Sequence, residues 1–446
     1  MVGRVARFGI LLILLLLAGS GDFRLSSSAI ADGNEPGGAS SAGIPVSWKI
    51  TNDYSSFPAC HYIDEAVQHI MHKYNVRGAS VAVAVKGRLV YAKGLGFADA
   101  EKQVPVSPAH LFRVASVSKL ITAVAIMKLV EQGKLRLNDH VFGSFGILND
   151  SIYRIYRDKR YERITVDHLL RHVAGFSTRY GDPAFNPVAV AKILHKDLPL
   201  KSSDLIVFAL HYPLASLPGH RYAYSNLGYI ILGEVIEKVT QMPYEQFVQT
   251  QILYPLGIYD MHIGKSFFAQ RYPNEVKYYE QYGPRLSPAV DGSEEQVERA
   301  NGGIDIPLLG PAGGWIASSP ELAMLMLRID GFPEKPDILS SESIAIMTSA
   351  GYFEDDLLGW MGKDKEDNWW RTGTMTGTLA HVMRRNDNIV WIVILNTSSP
   401  RRNTLHSEIV RHMNMAIDSV QSWPPFDLLN PPPFTSISPK VPEKIN

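Results

Sequence analysis

Between Ser116 and Leu135 the chain carries Val117, Leu120, Ile121, Ala123 to Met127, Leu129 and Val130, leaving only Ser118, Lys119, Thr122 and Lys128 polar before Glu131. A helix that is apolar nearly all round needs protein on every side of it, so the fold must be thick enough to surround one. Gly133 is placed to end that helix, because a C′ residue takes a left-handed conformation that glycine adopts without strain. A chain of 446 residues, 46% of them hydrophobic, has the apolar material for such a core. Its 44 basic and 44 acidic side chains balance, which speaks against a nucleic-acid-binding surface. The single cysteine, Cys60, rules out an intramolecular disulfide framework and a cysteine-based zinc cluster.

The first residues read as an address. Arg4 and Arg7 precede the apolar run Phe8 to Gly19, and Ala29-Ile30-Ala31 then offers a small-residue cleavage site before Asp32. Residues 1–31 are therefore expected to be an export signal, sending the protein to the periplasm or the extracellular space. The run is shorter than the ~20 residues of a bilayer span, so membrane attachment follows only if the signal stays uncleaved. Residues 32–51 are expected as a linker from their Gly/Ser/Pro content, and residues 423–446 as a Pro-rich, surface-draped or disordered tail.

The body, 52–422, opens with Ile63, Val67, Ile70 and Met71 on one helical face. Ser80 to Val85, the turn Lys86-Gly87, and Arg88 to Lys93 then read as a hairpin whose first strand is buried on both sides. Near the other end Thr378 to Met383 and Ile389 to Leu395 read as a second hairpin, followed by a helix with Leu405, Ile409, Met413 and Ile417 on one face. The pattern predicts an α/β (α+β) fold. An antiparallel sheet from about 52–140 and 310–422 is flanked by the terminal helices, with a mostly helical part, about 141–309, inserted between its halves.

The chemistry is expected where the buried helix begins. Ser116 and Lys119 are three residues apart and project from the same face. Burial disfavours a lysine's charged form, and a lysine held in a dry site can take the proton of a serine hydroxyl, otherwise a poor nucleophile. The helix N-terminus adds positive potential where an oxyanion would form. The plainer alternative is an N-cap serine beside a snorkelling lysine.

The run Leu111-Phe-Arg-Val-Ala-Ser116-Val-Ser-Lys119 resembles the nucleophile segment of the serine β-lactamase and penicillin-binding-protein superfamily. It is most similar to the branch of class C β-lactamases, D-alanyl-D-alanine carboxypeptidases and related esterases. Ile164 to Gly175 resembles that branch's helix and turn beside the site, and Tyr222-Ala-Tyr224-Ser-Asn226 its Tyr-x-Asn motif. The resemblance implies the β-lactamase/transpeptidase fold. It implies that Tyr224 relays a proton with Lys119 and that Asn226 hydrogen-bonds Lys119 and substrate. Ser225 or Asn226 is placed to cap the helix that follows.

The third motif departs from the family. Where the family carries Lys-Thr-Gly or His-x-Gly, this chain has Arg371-Thr372-Gly373-Thr374. Arg371 keeps the charge and offers a bidentate fork, so it is expected to read a substrate carboxylate, with Thr372, Gly373 and Thr374 also binding substrate. By resemblance, the backbone N–H groups of Ser116 and Thr374 form the oxyanion hole. His168 and His172 have a spacing that can bind zinc, but no third ligand is evident, and neither metal nor cofactor is expected. No Gly-x-Ser-x-Gly elbow and no Walker or Rossmann glycine pattern is present.

The sequence therefore predicts an exported serine hydrolase acting by acyl transfer on a small-molecule or peptide substrate, first of all D-Ala-type peptides of peptidoglycan. The nearest alternatives are esters or β-lactams, and in another class a non-catalytic cell-wall or peptide-binding protein on the same fold. Exported protein should begin at Asp32. Mass spectrometry of the secreted chain checks this, and a retained Met1 would indicate an anchored form.

Overall fold

The computed structural model describes residues 43–177 and 181–430. The expected export signal and its cleavage point, the expected linker up to residue 42 and the expected tail from residue 431 lie outside the described residues.

Helix α1 (Cys60–Tyr74) leads into strands β1 (Gly78–Val85), β2 (Arg88–Asp99) and β3 (Val104–Pro105). The buried helix, α2, spans Ser118–Glu131. Later come the short helix α3 (Val166–Leu170) and the longer α4 (Asn226–Thr240). Strands β4 (Gly362–Lys363), β5 (Trp369–Met375), β6 (Thr378–Arg384) and β7 (Ile389–Leu395) and helix α5 (Arg402–Asp418) complete the frame. The seven strands form one sheet in the order β4-β5-β6-β7-β1-β2-β3. The two terminal hairpins thus meet at its centre, where β1 and β7 pair antiparallel with Val81 opposite Val393. The Lys86-Gly87 turn takes positive φ at both residues, 48° and 73°, the geometry that matches strand twist in a two-residue hairpin.

Every residue of β1, β6 and β7 is buried, because the sheet is covered on both faces. One face takes α1 and α5: Ile63, Val67 and Ile70 with Leu405, Ile409 and Met413 pack on Val81, Val83, Trp391 and Val393. The other face takes α2 and the inserted region, against Ala82, Ala84, Val382, Ile392 and Ile394. Of the fourteen residues of α2, only Lys128, Val130 and Glu131 escape full burial. Gly133, at φ 65°, ends the helix: its N–H reaches the Val130 carbonyl and the Lys134 N–H reaches Leu129.

Three expectations shift. Residues 43–51 are not wholly linker, because Val46 and Ile50 are buried and the Trp48 indole N–H donates to Asp260 Oδ2 at 2.9 Å. The inserted region is less purely helical than expected. His262–Ile263 joins Phe112–Arg113 and Trp315–Ala317 in a small three-stranded sheet. The start of the expected tail is packed as well: Leu428 is buried and its N–H donates to the Leu89 carbonyl at 2.8 Å. Among the described residues, no helix is long and apolar enough to cross a membrane.

Because Ile63 is fully buried between α1 and the sheet, Ile63→Ala should cost about 2–5 kcal/mol through lost burial and the cavity it leaves. Denaturant unfolding of the two proteins measures this.

Candidate active site

Ser116 sits in a 3-10 turn, Ala115–Val117, that precedes α2, so the α-helix begins two residues later than a start at Ser116 would place it. The preceding Ala115 has φ 47°, a left-handed conformation that is costly for a residue with a Cβ and persists only where the surroundings impose it. Here they do. The Ser118 hydroxyl donates to the Ala115 carbonyl at 2.6 Å and accepts from the Trp315 N–H at 3.1 Å. The Val114 N–H is tied to the Trp315 carbonyl at 3.0 Å. Strand β5 lies against this turn, and Gly373 makes that approach possible: a Cβ there would fall 2.1 Å from the Val114 carbonyl oxygen and 3.0 Å from the Ser116 nitrogen. Pairing with β4 stops at Trp370, so from Arg371 onward this edge of β5 faces the Ser116 turn instead of another strand.

Tyr224 arrives on a loop whose backbone is laced to residues 172–175. The N–H groups of Ala223, Gly219 and Ala215 donate to the carbonyls of His172, Val173 and Gly175, each at 2.8 Å. Ser225 then caps α4, its Oγ accepting from the Gly228 N–H at 3.1 Å. The result places the Tyr224 hydroxyl 2.8 Å from Ser116 Oγ, to which it donates. Lys119 Nζ, with 0% side-chain exposure, donates to Asn226 Oδ1 and to the Ala312 carbonyl at 2.6 Å each, and more loosely to Ser116 Oγ at 3.4 Å. An ammonium has three protons to donate, and these are three acceptors.

Arg371 enters from β5, its Nε donating to the Ser116 carbonyl at 2.7 Å and its Nη2 to the Tyr224 hydroxyl at 3.2 Å. Burial alone would push the Tyr224 phenol up, but the charges of Lys119 and Arg371, with hydrogen bonding to its Lys119 and Ser116 neighbours, outweigh it and hold the phenol at about 8. Burial, aided by the Arg371 charge, moves Lys119 down from the ordinary lysine value, while Tyr224 and Asp182 pull the other way. His172 is held neutral by burial and by the same two cations, well below the ordinary histidine value. Its ring packs against that of Tyr224, tilted by 35° with centroids 4.4 Å apart, and its Nδ1 accepts from the Ser225 N–H at 3.2 Å. The site is thus two cations around one phenol and one serine, with Ser116 and Tyr224 half-buried and reachable.

Ser116, Lys119, Tyr224, Asn226 and Arg371 are all brought together, but three of the sequence expectations change. Arg371 is 1% exposed, and its Nε, Nη2 and Nη1 face the Ser116 carbonyl, the Tyr224 hydroxyl and Met361 Sδ, so its fork is turned inward rather than open to a substrate carboxylate. Thr372 and Thr374 lie on the opposite face of β5 from Arg371 and Gly373, because side chains alternate along a strand. Thr374 Oγ1 is 2.9 Å from His406 Nε2 of α5, and Thr372 pairs with His381, which packs toward the same helix. Gly373 serves a close approach, to the Ser116 turn. His168 and His172 take separate structural roles: His168 Nδ1 closes a capping box with Thr165, and His172 lies beyond the end of α3 at φ 59°.

Sequence reasoning missed two members. The Ala312 carbonyl comes from the glycine-rich turn Gly310–Gly314, where a backbone acceptor leaves no side-chain signature. Asp182 accepts from Asn226 through both its Nδ2, at 2.8 Å, and its backbone N–H, at 3.2 Å. In sequence it reads only as a turn residue between Gly181 and Pro183.

Comparison with known proteins adds the following. A family profile described as Beta-lactamase matches residues 63–412. Protein flp of Staphylococcus aureus is 28% identical over 208 residues, covering 47% of this chain and 38% of that protein. The chain therefore matches less than half the length of this relative. Two solved structures are similar in fold. The octameric penicillin-binding protein homologue from Pyrococcus abyssi has a TM-score of 0.58 at 24% identity, covering 76% of this chain and 73% of that one. The D-amino acid amidase from Ochrobactrum anthropi SV3 has a TM-score of 0.61 at 19% identity, covering 81% and 99%.

Since a neighbouring cation favours the phenolate, removing one must raise the phenol's pKa. Arg371→Gln should move the Tyr224 titration upward from about 8, toward the ordinary tyrosine value of about 10. Carbon-13 NMR of ring-labelled tyrosine, with Tyr224→Phe to assign the signal, measures the midpoint.

Proposed function

This chain belongs to the beta-lactamase family, and from that premise we propose that it is a serine hydrolase in which Ser116 carries an acyl group between substrate and water. The observation that carries the reading is Ser116 Oγ held between the Tyr224 hydroxyl at 2.8 Å and Lys119 Nζ at 3.4 Å. In the acylation step Ser116 Oγ bonds to the substrate carbonyl carbon and its proton passes to the Tyr224–Lys119 pair. The developing oxyanion is stabilised by the Ser116 N–H beside Gly373 and by the Thr374 N–H. When the tetrahedral species collapses, the carbonyl-to-leaving-group bond breaks and the same pair returns the proton to the departing amine or alkoxide. Water then repeats the sequence on the acyl-enzyme.

For substrate, we favour peptides ending in D-alanine, with small amides and esters next. A cleft of about 640 Å³ continues from Thr374–Thr376, the end of β5, and carries Arg299 and Arg402 on its walls. Neither arginine has a carboxylate partner among the described residues, so a substrate's terminal carboxylate is the complementary group. The D-amino acid amidase of similar fold, solved with an amino acid amide, supports small acyl donors of this kind. Segment 1–31 supports an exported enzyme.

Ser116→Ala should abolish labelling by fluorescent penicillin or a fluorophosphonate while leaving the unfolding curve unchanged. Lys119→Arg should slow acylation by roughly 10²–10⁴-fold, the usual scale of general acid–base catalysis, because a guanidinium stays protonated. An unlabelled wild type would favour a non-catalytic binding protein, and full labelling of the alanine variant would place the nucleophile elsewhere. Rates on a D-Ala-D-Ala peptide, a p-nitrophenyl ester and nitrocefin then rank the substrates.

A further inference from the structure

We propose that Asp182 is a positioning residue of this site, fixing the side-chain amide of Asn226 so that its Oδ1 faces Lys119 and favouring the protonated state of the Lys119–Tyr224 pair. The inference rests on the acyl-transfer reading of Ser116 and goes beyond it.

The argument starts from donors and acceptors. A carboxamide has two orientations of nearly equal shape, related by a half turn that exchanges oxygen and nitrogen. An ionised carboxylate only accepts hydrogen bonds, and an ammonium only donates them. Asn226 stands between one of each. Asp182 Oδ2 accepts from its Nδ2 at 2.8 Å, and its Oδ1 accepts from Lys119 Nζ at 2.6 Å. The flipped amide would set Nδ2 against the lysine and Oδ1 against the carboxylate, losing both bonds and gaining two repulsions. Asp182 therefore determines which atom Lys119 meets.

Asp182 is itself held in place. Its Oδ1 accepts from the Ala184 N–H at 3.0 Å, and its Oδ2 also accepts from the Asn226 backbone N–H at 3.2 Å. The second effect is electrostatic. The groups facing Lys119 are Tyr224 and Tyr229, whose rings lie 4.8 and 5.5 Å from Nζ, together with His172, Arg371 and Asp182. Arg371 is a cation, His172 is neutral, and Asp182 supplies a negative charge that favours the ammonium. For the site to accept the serine proton, the Lys119–Tyr224 pair must first lose one. A nearby negative charge opposes that loss whichever member gives it up, since such a pair titrates as a unit. Removing the charge must therefore move the acid limb of the rate profile to lower pH.

The test is the pH dependence of fluorophosphonate labelling in the full chain, for the wild type, Ser116→Ala, Asp182→Asn and Asp182→Ser. Serine keeps an N-cap for the turn at Pro183–Phe185 but is neutral and too short to reach Asn226, so damage to the fold is separable from loss of the carboxylate. We expect no labelling of Ser116→Ala. Both Asp182 variants should label at neutral pH roughly ten- to a hundred-fold more slowly, the usual cost of a hydrogen bond to a charged group. Their acid limbs should lie at lower pH than that of the wild type. A slower rate with an unmoved limb would mean that Asp182 only supports the loop, and an unchanged rate would remove it from the site; either overturns the inference. Labelling of Ser116→Ala at the wild-type rate would instead show that the acyl-transfer reading had failed.

Discussion

A positive charge with no exposure is the constraint around which the rest of the site is arranged. Lys119 Nζ has given up water entirely, and an ammonium left unpaired in such a place would lose its proton or force the structure apart. Its acceptors therefore have to be built in. They come from separate parts of the chain: Ser116 at the foot of the same helix, Asn226 at the start of α4, and the Ala312 carbonyl in a glycine-rich turn. Because α2 is surrounded by apolar packing, neither the helix nor its lysine can move to find other partners. The convergence of distant segments on this point is the condition under which Lys119 can stay where the fold puts it.

The same burial gives the phenol its character. Removing Tyr224 from water by itself favours the neutral form, and the field of two cations, Lys119 and Arg371, reverses that preference. His172, packed against the ring, stays neutral and so adds no third positive charge. The site therefore keeps a group near neutrality at hydrogen-bond distance from a serine oxygen, the arrangement that general acid–base catalysis requires. An arginine suits the Arg371 position because it stays protonated while giving one donor to the Ser116 carbonyl and another to the Tyr224 oxygen. One rigid side chain thereby ties the Ser116 backbone to the phenol bonded to its hydroxyl.

How much of this was legible in the sequence depended on whether a feature has a period or only a destination. The terminal hairpins, the flanking helices and the buried α2 all carry repeating apolar patterns, and most boundaries fall within a few residues of those patterns, β2 running on six residues past the expected Lys93 to Asp99. Ser116 and Lys119 were legible because they open that one conspicuous helix, and Tyr224 and Asn226 through the resemblance of Tyr222 to Asn226 to the family's Tyr-x-Asn motif at a helix entrance. Arg371 was recognised as a site residue but assigned the wrong partner, since a strand pattern does not say which face meets which neighbour. The alternation that buries Arg371 and Gly373 beside the serine necessarily sends Thr372 and Thr374 toward α5. Asp182 and the Ala312 carbonyl had no periodic context. Their roles arise from tertiary contacts spanning 44 and 193 residues.

Those separations also bear on what the fold must accomplish before the site exists. The bonds that define it join residues 107, 108, 193 and 255 positions apart, and each such closure costs chain entropy that a local contact would not. None of them is strong enough to meet that cost alone. The sheet supplies the difference, because pairing β1 with β7 brings the first and last parts of the body together over a continuous apolar interface. Once that pairing is made, β5 is set at the edge of the Ser116 turn by its register with β6, and Gly373 lets the two backbones meet. The strained Ala115 is then held between the Ser118 hydroxyl and the Trp315 strand. The geometry of the site thus depends on the assembled sheet, and no segment of the chain contains enough of it to form the site by itself.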